Sequence, residues 1–262
     1  MLGFISTSVE EGTGHKMRIQ ARFQKDLGNQ WTQRRVFSHP AVFLQHKLFL
    51  QLNDKRKKER VETIARRLQE QNVHAVVFSN TAQQIKLPRI KRAGASYLNA
   101  YLAGDIGAHV ASRAGATAYC QFSSLGQLEE RAVLTLAHHY RYLMLEAGRD
   151  TDFLCHALQQ KYGLPIVKAP TQRQIRDANF ALLWKNTEQS VELDRNCLVF
   201  SPMNVRKNAG GRRIKSMELD LPEQYKHEIP EGFPINPILS QGLKWGSILP
   251  ENLKIQRILL DN

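Results

Sequence analysis

The sequence predicts an α/β fold built on a mainly parallel sheet, with a β-rich basic segment before it and an irregular stretch wrapped over it afterwards. Three observations predict this. Short apolar runs of strand length recur near residues 73, 117, 142, 165 and 181. Between them lie stretches with helically spaced apolar residues, long enough for right-handed crossovers. Cap and turn residues punctuate the alternation, which places helices over both faces of a parallel sheet. One continuous sheet accommodates all five runs. The chain then divides into a β-rich segment at 1–53 packed on the core, an α/β core at 54–203 and an extension at 204–262.

Leu2 to Ser6 reads as a strand, and so does Met17 to Phe23, whose Arg18, Gln20 and Arg22 alternate on a polar face. The two are able to pair as a hairpin. Val42 to Leu52 fits a bulged strand about as well as a helix and is read as strand. Lys55 to Gln71 is a helix, capped by Asn53 or Asp54 and carrying the apolar stripe Val61, Ile64, Ala65 and Leu68. Val73 to Phe78 follows as a buried strand. The connection from Ser79 to Ser96 is polar and basic, and Pro88 and Gly94 oppose any long helix in it. From Ser96 to about Ser112 an Ala-rich helix is expected, which Gly104 and Gly107 weaken unless close packing compensates.

Ala116 to Phe122 is the next strand. Ser124 with Gln127 has the spacing of a capping box for a helix over Leu125 to His139. The apolar run Tyr142 to Leu145, bounded by Gly148, is a buried strand. Asp150, Thr151 and Asp152 supply cap chemistry for a helix with Phe153, Leu154, Ala157 and Leu158 at helical spacing, and Gly163 ends it. Leu164 to Val167 is a strand, Pro170 and Thr171 break the chain, and a brief polar helix leads to a strand at Phe180 to Trp184. Cys197 to Phe200 is the last strand expected. The stretch 204–216 reads as a flexible basic loop, and prolines 222, 230, 234, 237 and 250 mark the remainder as irregular.

From Arg141 to Trp184 the order is strand, helix, strand, short helix, strand. In element order this resembles one half of a Rossmann nucleotide-binding fold, so the core reads as doubly wound and Rossmann-like. The resemblance implies a ligand beyond the carboxyl ends of the strands. It does not extend to the G-x-G-x-x-G fingerprint, because the turn Ala147 to Asp150 has only Gly148. Asp150 and Asp152 would repel a pyrophosphate there. No dinucleotide in the usual pose is expected, and the cofactor stays unknown.

The strand ends read Ser79, Asn80 and Thr81; Ser123 and Ser124; Glu146, Gly148, Arg149 and Thr151; and Pro170 with Thr171. Small polar residues of this kind suit an anionic small ligand such as a nucleotide. They also suit ordinary helix caps. Glu146 ends an apolar strand and is a candidate half-buried acid. Arg149 follows a glycine in the turn, where its guanidinium is able to hold a phosphate or carboxylate bidentately or to pair with Asp150 or Asp152. A protein partner at the same edge is the alternative occupant.

Formal charge is +13 and regional. Met1 to Arg92 holds 18 Lys and Arg against 7 Asp and Glu, a net of +11, while Ala93 to Asn262 holds 19 against 17, a net of +2. Lys55, Arg56, Lys57 and Lys58 with Lys86, Arg89, Lys91 and Arg92, extended by Trp31, Arg34 and Arg35, form a candidate nucleic-acid surface for backbone contact. The competing reading is a solvated helix face, supported by Glu59, Glu62 and Glu70. A third reading is an enzyme whose site draws on Asn80, Ser123, Glu146 and Arg149.

No H-E-x-x-H, G-x-S-x-G, P-loop or C-x-x-C pattern occurs, which lowers the prior for hydrolase, kinase or redox chemistry, and no catalytic or metal-binding residue is assigned. Cys120, Cys155 and Cys197 lack zinc-site spacing and read as reduced thiols. Cys155 and His156 are adjacent on a helix, point apart, and cannot act as a nucleophile and its base. His138 and His139 suit a helix C-terminus. Neither a secretory leader nor an 18-residue apolar span is visible, so a soluble, cytoplasmic protein that does not enter membranes is expected.

Overall fold

A computed structural model describes residues 1–7, 29–46, 52–111, 116–147, 151–184, 191–203 and 210–261. It divides into two units, Met1–Ala95 with Pro222–Leu249, and Ser96–Leu221 with Pro250–Asn262. Each has its own sheet.

In the first unit β1 (Leu2–Thr7), β2 (Asn29–Val36), β3 (His39–His46), β4 (Ala75–Phe78) and β5 (Lys91–Arg92) make a sheet in the order β2-β3-β1-β4-β5. Strand β1 lies parallel between β3 and β4, Phe4 opposing Phe43 on one side and Val77 on the other. Only β2 runs antiparallel. Helix α1 (Asp54–Glu70) starts where Asn53 accepts a hydrogen bond from the Arg56 N–H at 3.0 Å, the expected cap. Its Ile64 and Leu68 pack on Ile5, Val42, Leu44 and Val76.

Strand β2 carries no strand signal in the sequence, since N-Q-W-T-Q-R-R-V lacks the apolar alternation of a half-buried strand. It is joined to β3 by Phe37 and Ser38, both at positive φ, 48° and 64°. A two-residue hairpin loop needs such angles, normally from Asn and Gly. Here tertiary contacts supply the compensation: Phe37 is buried, its ring stands edge-on to Tyr225 at 5.7 Å, and its N–H donates to Glu228. The expected strand Met17 to Phe23, with its hairpin to Leu2, lies outside the described residues, as do residues 47–51 of the run from Val42.

The second unit contains α2 (Ser96–Tyr101), α3 (Ala103–Val110), β6 (Thr117–Gln121), α4 (Gln127–Ala137), β7 (Tyr142–Glu146), α5 (Asp152–Tyr162), β8 (Ile166–Lys168), α6 (Gln172–Arg176), β9 (Phe180–Leu183), β10 (Leu198–Phe200), β11 (Arg212–Asp220) and β12 (Lys254–Leu260). Its sheet runs β12-β11-β10-β9-β6-β7-β8. All neighbours are parallel except β11 and β12. Counting from β6, the parallel strands stand third, second, first, fourth, fifth, sixth across the sheet. That is the doubly wound nucleotide-binding order, so the fold is mixed α/β with mainly parallel sheets.

The single sheet expected from residue 73 onward is therefore two. Strand β4 pairs with β1, which needs a partner for its buried Leu2, Phe4 and Ile5, and not with β6. The helix expected over 96–112 divides at Leu102 into α2 and α3. Close packing does compensate its glycines: a Cβ on Gly104 would stand 2.7 Å from the Thr135 Cβ, and one on Gly107 would stand 2.3 Å from the Leu136 Cδ2.

The extension 204–262, which reads as irregular in the sequence, forms regular elements within the described residues. Strand β11 buries Ile214 and Met217, three residues apart across a register shift between Ile214 and Ser216, and β12 pairs with it. Helices at Glu223–Glu228 and Ile235–Lys244 begin after Pro222 and Pro234. Those prolines sit at helix starts, where a missing N–H costs nothing, and so do not signal disorder.

Candidate functional site

The chain leaves β6 through α4 for β7 on one side, while β9 takes the opposite flank of β6. Open parallel sheets bind ligands at such a topological switch, outside the carboxyl ends. Backbone bonds hold the three ends together past the ladder: the Phe122 N–H donates to the Glu146 carbonyl and the Trp184 N–H to the Gln121 carbonyl, both at 2.9 Å. The Phe122 and Trp184 rings meet at 5.7 Å, both buried.

Between the strand ends sits a polar cluster. Gln121 opposes Glu146 in register, and Tyr119, two residues earlier on β6, faces the same side. The Tyr119 hydroxyl donates to Glu146 Oε2, and the Gln121 carboxamide donates to Glu146 Oε1 at 3.1 Å. Tyr119 is fully enclosed and Gln121 is 2% exposed, whereas Glu146 is half-buried. Burial, then the hydrogen bond to Glu146, pushes the Tyr119 phenol far above its ordinary value. It stays a donor, and the carboxylate keeps lone pairs for a further donor arriving from solvent.

The helix starts beside this cluster are already served by acids. Helix α4 begins at Gly126 without a side-chain cap, so the expected box of Ser124 and Gln127 does not form. Instead the Glu129 carboxylate lies 2.8 Å from where a Gly126 Cβ would stand, and Glu130 shares the first turn. At α5, Thr151 occupies the cap without a side-chain bond, and Asp152 pairs with Lys168 at 2.6 Å. Both arrangements place negative charge at a positive helix end.

Of the sequence-selected residues, Glu146 ends β7, and Ser123, Ser124 and Thr151 lie beyond strands of the second sheet, Ser123 and Ser124 being exposed. Gly148 and Arg149 lie outside the described residues. Ser79, Asn80 and Thr81 follow β4 and so belong to the other sheet. There the hydroxyls are engaged: Thr81 donates to the Thr7 carbonyl at 2.7 Å, Thr7 returns the bond to the Thr81 carbonyl at 2.9 Å, and Ser79 meets Thr81 at 2.9 Å. They tie β1 to β4. Thr171 forms a capping box with Gln174 on α6.

The doubly wound order also relocates the fingerprint turn. It follows β6, not β7, and reads Phe122 to Gly126, with Gly126 its one glycine. Sequence reading passed over Tyr119 and Gln121. The visible signal was a glutamine closing the apolar run A-Y-C-Q-F.

Among the basic residues, Lys57 lies 4.0 Å from Asp54, and Arg92 donates to the Gln83 carbonyl at 3.3 Å while stacking over Phe78. Lys55, Arg56, Lys58, Lys86, Arg89 and Lys91 are exposed. The three cysteines are buried free thiols. His138 contacts the Leu134 carbonyl at 2.8 Å, and His156 contacts Gln160. Among the described residues no cluster of His, Cys, Asp or Glu suits a metal ion, and no helix is long and apolar enough to cross a membrane.

No protein-family model and no curated protein matches the chain. Solved structures similar to it include the iminosuccinate reductase of Paracoccus denitrificans in complex with NAD+, at 9% identity and a TM-score of 0.32, covering 40% of this chain and 35% of that one. A putative aspartate carbamoyltransferase from Trypanosoma cruzi has 12% identity and a TM-score of 0.32, over 79% and 72% of the two chains. The L-tryptophan dehydrogenase from Nostoc punctiforme has 10% identity and a TM-score of 0.31, over 95% and 68%. The chain thus spans about a third of the length of the reductase it matches.

Proposed function

We propose that the second unit binds a nucleotide-type ligand at the carboxyl edge of its sheet, where β6 and β9 part. The observation that carries this reading is Glu146. It ends the second strand of the doubly wound order, 20 residues after Gly126. An acidic side chain at that place in such folds accepts hydrogen bonds from ribose hydroxyls. Its orientation is set beforehand by Tyr119 and Gln121, so little is lost in ordering it when a ligand arrives.

The carboxylates at the starts of α4 and α5 give the site its preference. A pyrophosphate seated on either helix end would displace Glu129 or meet Asp152, whereas a hydroxyl group meets an acceptor. The ligand's sugar face is therefore what is read, with the exposed hydroxyls of Ser123 and Ser124 available to a phosphate. Thr151, at the start of α5, adds a hydroxyl on the β7 side.

The test is a thermal and denaturant titration with nucleosides, mononucleotides and dinucleotides. A ligand at 100 times its dissociation constant adds about 2.7 kcal/mol of stability. Glu146→Gln should keep the fold and remove most of that gain. A panel that leaves stability unchanged throughout would sink the reading.

A further inference from the structure

A second cleft lies wholly within the first unit, between α1 and the turn that follows β4. It holds about 390 Å³ and is lined by Glu62, Ala65, Arg66, Gln69, Pro88 and Arg89. Two guanidinium groups thus border one concavity. Among the described residues neither has a carboxylate within ion-pair distance, although α1 carries several acids.

Arg89 reaches the cleft from an unfavourable backbone. Its φ is 61°, in the left-handed region that favours glycine and asparagine. Pro88 before it presets the turn, and the position after such a proline is normally glycine where φ is positive. Strain of this kind persists only where the surroundings hold it, and it clusters at ligand sites. By contrast, Arg67 is spent on the Trp31 ring at 4.5 Å, and Arg92 on Phe78 and the Gln83 carbonyl.

We infer that the cleft between α1 and the Pro88–Arg89 turn is a binding site for a phosphate ester with a neighbouring hydroxyl, its phosphate clamped by Arg66 and Arg89. Paired guanidiniums suit a phosphate because each presents parallel N–H donors to two oxygens. Glu62 opposes a bare, fully ionised anion but accepts from a hydroxyl beside it, and Gln69 is able to serve either group. Sugar phosphates and the ribose-phosphate backbone of RNA share this chemistry. The net charge of +11 over Met1 to Arg92 draws either one toward this unit.

The experiment follows the arginine Nε–Hε NMR signals of the full chain during titration with inorganic phosphate, ribose 5-phosphate and a uridine oligonucleotide, with sodium chloride holding ionic strength constant. Arg66→Gln and Arg89→Gln assign the two signals by their loss. Saturable shifts are expected with ribose 5-phosphate at millimolar concentration, at least 5-fold tighter than with phosphate. Each arginine variant should abolish saturation at the remaining signal, Glu62→Gln should erase the 5-fold preference, and Lys58→Gln should change neither.

Arg89→Gly separates ligand from backbone: the melting temperature should hold or rise while saturation disappears. Shifts that track chloride alone, or saturation that survives Arg89→Gly, overturn the site. An unchanged preference in Glu62→Gln overturns the hydroxyl assignment. Oligonucleotide binding more than 10-fold tighter per phosphate, which falls steeply when the titration is repeated at higher sodium chloride, identifies RNA as the source; equal or weaker binding identifies a free sugar phosphate.

Discussion

The hydroxyl of Tyr119 donates to the carboxylate of Glu146 on the neighbouring parallel strand, across a diagonal of the ladder in which Gln121 faces Glu146 directly. One residue is fully enclosed and the other half-buried, so the bond runs from the core to the strand end. It links the packing of β6 to the orientation of the group proposed to meet a ligand.

Tyr119→Phe keeps the ring and removes only that donor. A hydrogen bond to a charged group contributes about 1.5–3 kcal/mol, and because Glu146 is half-buried, water replaces part of it. A loss of about 1–2 kcal/mol in urea unfolding is expected, together with weaker ligand stabilisation than in the parent protein. A ligand response equal to the parent's would separate Tyr119 from the site.

The glycines of the second unit divide by what a methyl group would strike. In Gly107→Ala the Cβ would stand 2.3 Å from the Leu136 Cδ2 and 2.8 Å from the Phe180 ring. Overpacking of this kind costs about 1–3 kcal/mol. Gly126→Ala meets only the movable Glu129 carboxylate, and Gly126 has an ordinary extended φ of −101°. Unfolding midpoints should fall clearly for the first variant and by little for the second.

Alkaline pH should unfold the protein early. Burial raises the Tyr119, Tyr140 and Cys120 protons above their ordinary values and pushes Cys197 up to about 12. The unfolded chain releases cysteine protons near 9.0 and tyrosine protons near 10.0 while the folded chain keeps them. Between those values and the raised ones the folded state binds more protons, so stability falls as pH rises. It is full below pH 9 and declines above it, by up to about 1.4 kcal/mol per pH unit for each such group. Urea midpoints at pH 8, 9, 10 and 11 check this; equal midpoints at 8 and 11 contradict it.

Asn53→Ala removes the acceptor for the Arg56 N–H at the start of α1. Cap loss costs about 1 kcal/mol. The variant also serves as a control, because a drop in stability of that size should leave both proposed ligand responses intact when measured below its melting temperature.

Local elements whose cause lies within a few residues are legible in the chain. Helix α1 with its Asn53 cap, α5 ending at Gly163 with φ at 61°, and α6 with its Thr171 and Gln174 box all follow from side chains bonding to nearby backbone. Buried strands β6, β7 and β9 show as apolar runs. Which strands become neighbours is another matter, since ladder bonds join backbone groups that are alike in every residue and period two reports a face, not a partner. Hence β4 pairs with β1, β11 and β12 close the second sheet from either side of a proline-rich stretch, and the fingerprint turn follows β6 and not β7. The cluster of Tyr119, Gln121 and Glu146 depends on that pairing, because residues 25 and 27 apart in the chain meet only when β6 lies beside β7 in one particular register.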